Sequence, residues 1–268
     1  MNAAGTLGRA WRSLATVCFA TALLTGGLAC QTLVPLDAGS PIDPDDAQVR
    51  GLLRELRETS AQRSALRGRA SLSLDSPQLR FSRPQRLVLS KPASLRIEVL
   101  GLFDQVAAVV ATDGETFGFV DMLSRTRDSG PVDNEVLWRT ARVDLTPAEA
   151  VSLLLGAPTL DTGADTRSAV RFADGGVGAL VEGPGAAHWL EWDAGGALRR
   201  VERRDLDGVV RWNARYADRR EVSGVSFAHA VELEFARVDA LARLQYESVE
   251  LQPELSASLF VLQVAPGE

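Results

Sequence analysis

Residues 94–121 read SLRIEVL-GLFDQ-VAAVVA-TDGE-TFGFVD, which is three strands and two short turns. Leu95, Ile97 and Val99 alternate with Arg96 and Glu98, and Phe117 and Phe119 alternate two strands on. Each strand therefore has one apolar face and one wet face. No crossover helix separates these strands, so neighbours must run antiparallel. Thr112-Asp113-Gly114-Glu115 is an ordinary polar turn in which Gly114 is free to take a positive φ. The other turn, Leu100-Gly101-Leu102-Phe103-Asp104-Gln105, puts Leu102 and Phe103 where turn residues are normally polar. A tip of that kind needs a physical reason.

Further strands are expected on both sides. Alternation marks 69–74, 79–83 and 85–90, with Lys91-Pro92 as the next turn, and 124–127 reads as another strand. Beyond Thr159 the Gly and Asp spacing predicts hairpins built from 169–172, 179–182, 189–192, 198–203, 209–216, 225–235 and 241–251. An antiparallel sheet of about ten strands has to curl or close. Two helices stand out. Asp43 as N-cap with Pro44 in the first position predicts a helix to about Ala65, with Val49, Leu52, Leu53 and Leu56 on one stripe. Thr146-Pro147-Ala148-Glu149 is a capping box, followed by Val151, Leu153, Leu154 and Leu155 and stopped at Gly156-Ala157-Pro158. This second helix is nearly all apolar, so it must pack on the sheet or plug something. A short helix is also expected near 133–139. The fold class is mainly β (α+β), with residues 46–268 as a single domain.

The N-terminus carries its own message. Arg9 and Arg12 precede the apolar run SLATVCFATALL, and then come TGGLA and Cys30. This is the layout of a secretory signal over residues 1–29. Ending at Gly27-Leu28-Ala29-Cys30, it resembles a bacterial lipoprotein signal, in which the cysteine becomes the first mature residue and is acylated. The leucine usual three before the cysteine is Gly27 here, with Leu28 one place later. Acyl chains contribute about 0.8 kcal/mol per buried methylene and together anchor stably. Gln31 follows, where Asp would resemble inner-membrane retention, so the pattern resembles an outer-membrane lipoprotein on the periplasmic face. Residues 30–45, with Pro35, Pro41 and Pro44, read as a flexible tether.

Several function classes are disfavoured. A net charge of −6 and a pI near 5.2 argue against nucleic acid. His188 and His229 are the only histidines, and neither has metal-ligand spacing. Gly175-Gly176-Val177-Gly178 is not followed by a helix, so it does not read as a phosphate cradle. Gly-x-Ser-x-Gly is absent. The cluster Arg199, Arg200, Arg203 and Arg204 reads as a solvated strand face or edge protection, with an acidic carrier or lipid head group as the sharper alternative. No catalytic residue, metal or cofactor is expected.

Five features together resemble the LolA/LolB-like lipoprotein-localisation superfamily. They are Cys30, the amphipathic helix before the first strand, the meander around Gly101-Leu102-Phe103-Asp104-Gln105, the helix opened by Thr146-Pro147-Ala148-Glu149, and the tail Leu259-Phe260 with Pro266-Gly267. The resemblance covers nearly all of the mature chain, but it assigns nothing to the Asp-rich stretch 161–174. It implies an incomplete antiparallel β-barrel with a helical lid over an apolar cavity for acyl chains. It also implies an outer-membrane-anchored protein that receives or inserts lipoproteins or related lipids, with a periplasmic carrier protein as a possible partner. Leu102 and Phe103 would then form a membrane-insertion loop. The expected acyl cavity is walled by Leu72, Leu87, Leu89, Leu95, Ile97, Val99, Phe117, Phe119, Leu154 and Trp212, between the sheet and the helices at 46–66 and 147–155. The alternative is a non-catalytic envelope scaffold whose sheet is filled with side chains.

Overall fold

In a computed structural model that describes residues 39–262, the alternating stretches become one antiparallel sheet, fourteen-stranded among the described residues. The signal segment, Cys30 and Pro266-Gly267 lie outside the described residues. The first meander comprises β2 (Ala65–Asp75), β3 (Arg80–Ser90), β4 (Ser94–Leu100), β5 (Val106–Thr112), β6 (Thr116–Asp121) and β7 (Thr126–Pro131). The second comprises β8 (Asp165–Arg171), β9 (Val177–Glu182), β10 (Ala187–Trp192), β11 (Leu198–Arg204), β12 (Val210–Val222), β13 (Val225–Phe235) and β14 (Ala240–Leu251). Pairing of β14 with β2 joins the two halves. A short strand, β1 (Ser40–Ile42), pairs with β8 at one edge, and β7 forms the other, so the sheet is curled but open.

Several boundaries differ from the sequence reading, each for a local reason. Residues 40–42 are not tether, because they pair with Arg171, Val170 and Ala169. Helix α1 spans Ala47–Gln62 and is capped by Asp46, whose carboxylate accepts from the Gln48 amide at 2.8 Å. Asp43 closes the preceding turn instead, accepting from the Asp45 amide. The helix ends before Ala65 because Ala65 already pairs with Ser90. The stretches 79–83 and 85–90 form one strand through Pro84. That proline pairs with Ser71 of β2 and lies just before the point, Gln85, where β4 begins to pair. Helix α2 is Val136–Ala141, starting three residues and ending two residues later than expected, and α3 is Pro147–Leu154 with the full Thr146–Glu149 capping box.

The buried stripe of α1, Val49, Leu52, Leu53 and Leu56, belongs to the main hydrophobic core. Polar contacts tie α1 to the second meander: Arg171 donates to Gln48 at 2.8 Å and Arg57 to the Ala164 carbonyl at 3.1 Å. Leu190, Val201 and Trp192 fill the concave face of that half. The concave face of the first half is covered differently, by α2 and α3.

Candidate functional site

Side-chain size creates a hollow on that half. Inward positions line up in cross-strand rows. In the row farthest from the turn at 101–105, Phe117, Thr112, Leu95 and Leu89 stand side by side and are buried. The next row is Phe119, Val110, Ile97 and Leu87, and the one after it Asp121, Ala108, Val99 and Gln85. These two rows border a cavity of about 440 Å³, within the range of small-ligand sites. Leu137, Thr140 and Ala141 of α2, with Ala150 and Leu154 of α3, roof it. Ala107, Ala108, Ala141, Ala150 and Ala242 leave the space that larger residues would fill. Its rim includes Leu79 and Leu123, both exposed, in the turns after β2 and β6.

Three aromatic side chains hold the roof. The Tyr246 hydroxyl donates to the Leu154 carbonyl at 2.9 Å and the Tyr216 hydroxyl to the Leu153 carbonyl at 3.2 Å. Both carbonyls lie in the last turn of the helix, where intrahelical partners run out; that of Leu153 also accepts from the Gly156 amide at 3.0 Å. Burial pushes both phenols well above the usual tyrosine range. Trp212 Nε1 donates to Glu149 at 3.0 Å from the other end of α3. Tyr246→Phe therefore strands a buried carbonyl. It is expected to cost about 1–3 kcal/mol, read as a fall in melting temperature of roughly 2–10 °C. An unshifted transition would show that this bond does not hold the roof.

The tip at 101–105 projects. Phe103 is 100% exposed and Leu102 77%. Phe103 sits at φ 60°, ψ 28°, a left-handed conformation uncommon for an aromatic residue, and Asp104 follows at φ 59°. The Asp104 carboxylate is clamped by Arg69 at 2.9 and 3.1 Å, and Arg69 Nε also reaches Glu247 at 2.9 Å. The Arg69 guanidinium holds the Asp104 carboxyl below its ordinary range. The neighbouring turn adds Met122 and Leu123, 55% and 85% exposed. Because β4, β5, β6 and β7 pair in sequence, both turns emerge from the same end of the sheet. The Met122 amide donates to the Ala107 carbonyl at 2.8 Å, which fixes the second turn beside the first.

Of the residues expected to wall the cavity, Leu72, Leu87, Ile97, Val99, Phe119 and Leu154 border it. Leu89, Leu95 and Phe117 do not; they form the filled row that closes its far end. Trp212 stands elsewhere, in a row with His188 and Arg203 across β10–β12. Helix α1 does not border the cavity, so the helix expected as one lid is replaced by α2. The sequence reading does not single out Met122-Leu123 or Gln85, and it marks a short helix near 133–139 without placing it over the cavity. The first carries the same signal as Leu102-Phe103, large apolar residues in a hairpin turn.

A second, polar cleft of about 430 Å³ lies on the opposite side of α3, bordered by Thr146, Glu149, Asp161, His188, Arg203 and Arg211 among others. Arg203 reaches Glu149 at 3.3 Å. Burial, with Arg203 nearby, holds the His188 imidazole below its ordinary range. The arginine cluster is thus divided. Arg203 faces inward, whereas Arg200 and Arg204 grip Glu202 at 2.7 and 2.6 Å and Arg199 pairs with Asp174. Among the described residues no group of three or more metal-binding side chains is present, and no helix is long and apolar enough to cross a membrane.

No protein-family model matches the sequence, and no curated protein matches it. Solved structures do match the fold. A LolA superfamily protein from Nitrosomonas europaea superposes with a TM-score of 0.55 at 10% identity, over 78% of this chain and 97% of that one. A DUF1329 family protein from Desulfovibrio piger gives 0.54 at 11% identity, over 82% and 98%. The fold is therefore the LolA/LolB-like incomplete barrel. Identities this low speak to the fold alone.

Proposed function

We propose that this chain is a non-catalytic carrier or receptor that holds acyl chains of lipoproteins, or of a related lipid, in the hollow beneath α2 and α3. In this reading it works at the periplasmic face of the outer membrane, tied there through an acylated Cys30, and takes its cargo from a periplasmic carrier. The observation that carries the reading is a cavity lined by apolar side chains whose rim lies at the same end of the sheet as two exposed apolar turns. A core that merely stabilised the sheet would be close-packed. Apolar residues at exposed turns oppose solubility unless something apolar meets them. The cavity would hold alkyl chains at about 0.8 kcal/mol per buried methylene, and the tip Leu102-Phe103 would meet the bilayer during transfer. The likeness in fold to a LolA superfamily protein supports this reading and does not name the cargo.

The test is extraction of the purified protein followed by mass spectrometry of what it released. Acyl lipid recovered in near-equal amount supports carriage. A protein that neither brings lipid with it nor takes up added lipid is an envelope scaffold.

A further inference from the structure

Gln85 is the one buried side chain among the described residues with polar atoms left wholly unpaired: Nε2 and Oε1 both lack a hydrogen-bond partner. It is 0% exposed. Its register explains why. It faces inward from β3, between Val99 of β4 and Ala70 of β2, and neither side chain can donate or accept. It also lies in the wall of the cavity. The other polar residues of that wall are accounted for. The Thr140 hydroxyl donates to the Val136 carbonyl at 2.7 Å, Asp121 accepts from the Leu123 and Ser124 amides, and Arg83 is exposed. Buried polar groups in folded proteins are nearly always paired, and an exception calls for a cause. Had the site evolved for packing alone, leucine or methionine would serve better at this position.

We infer that Gln85 reads the linkage group of the bound lipid and selects a chain attached through an amide. The inference rests on the acyl-cavity reading and deepens it. The glutamine offers donors on Nε2 and an acceptor on Oε1. A secondary amide answers both, its carbonyl accepting from Nε2 and its N–H donating to Oε1. An ester carries acceptors alone and leaves Oε1 unanswered, and a plain hydrocarbon leaves both atoms unanswered. The Gln85 amide is fully buried behind the cavity wall, so reading the lipid requires its flexible side chain to turn toward the cavity, and no protein hydrogen bond opposes that turn. In a dry apolar cavity the unanswered partner stays buried, so the discrimination is larger than it would be in water.

The test uses the mature protein and three probes with one chain length: N-methylpalmitamide, methyl palmitate and hexadecane. Affinity is read by displacement of a fluorescent fatty-acid analogue. The amide is expected to bind about tenfold tighter than its ester isostere, with the hydrocarbon weakest. Gln85→Met is expected to bring the three probes within about threefold of one another and to raise the melting temperature, because the stranded amide is gone. Gln85→Leu serves as a second variant with the same expected pattern. Equal binding of amide and hydrocarbon by the unaltered protein overturns the role of Gln85 and leaves the cavity reading standing. So does an amide preference that survives in both variants. Failure of all three probes to bind overturns both readings.

Discussion

Changing Leu102 and Phe103 together to glutamate is expected to weaken bilayer association by about a hundredfold or more without altering the melting temperature. Neither side chain contributes to the core, since both stand in solvent, so nothing in the fold is lost. Moving a Leu or Phe side chain from water into an apolar phase is worth about 1.5–3 kcal/mol each. Even at the low end two such residues supply about 3 kcal/mol, and roughly 1.4 kcal/mol is a factor of ten. Glutamate removes that term and adds a charge the hydrocarbon rejects. The tip is held ready by the Asp104–Arg69–Glu247 chain of ion pairs, so it need not be ordered at the moment of contact. The measurement is flotation with liposomes in a Cys30→Ser background, where no acyl anchor masks the tip. Liposome binding that does not change would take Leu102 and Phe103 out of the proposed mechanism. Met122→Glu with Leu123→Glu would then tell whether the neighbouring turn alone makes the contact.

How far the sequence could be read depended on what each signal encodes. Period-two alternation names the face of a strand, and every inward residue expected in β2–β6 does face inward. It does not say how far along that face a hollow extends. Leu95 and Ile97 have the same pattern and sit in adjacent rows, yet one is sealed in the core and the other borders the cavity. The α1 stripe shows that the helix covers something apolar, not which half of the sheet it covers. Helix α2 has only six residues, so the sequence marks a short helix there but shows no apolar stripe to say that it roofs the cavity. Trp212 has the apolar character expected of a cavity wall, but its register opposite Arg203 places it in another row, where its Nε1 donates to Glu149. The unpaired state of Gln85 depends on Ala70 and Val99, fifteen and fourteen residues away in sequence, and becomes visible only once the register is known. Leu102 and Phe103 were legible because a hairpin turn of large apolar residues conflicts with local rules, and such conflicts gather at functional sites.

Filling the hollow is the sharpest way to separate carrier from scaffold. Ala108 faces inward beside Val99, in the middle of the cavity wall, and is itself only half-buried, so there is room in front of it. Ala108→Phe should place a ring where an alkyl chain would lie. Displacing about three methylenes at about 0.8 kcal/mol each removes about 2.4 kcal/mol of binding, roughly a sixtyfold loss of affinity. Ala108→Leu fills less and should fall between. The fold should not suffer. Cavity-filling changes commonly stabilise by about 0.5–2 kcal/mol, whereas overpacking a close-packed core costs about 1–3 kcal/mol. The two measurements, lipid retained on purification and melting temperature, therefore move in opposite directions if the space is a binding site. They fall together if it is only a loosely packed core in which the ring disrupts the sheet. A variant as stable as the parent that keeps its full complement of lipid would show that the chains are held elsewhere.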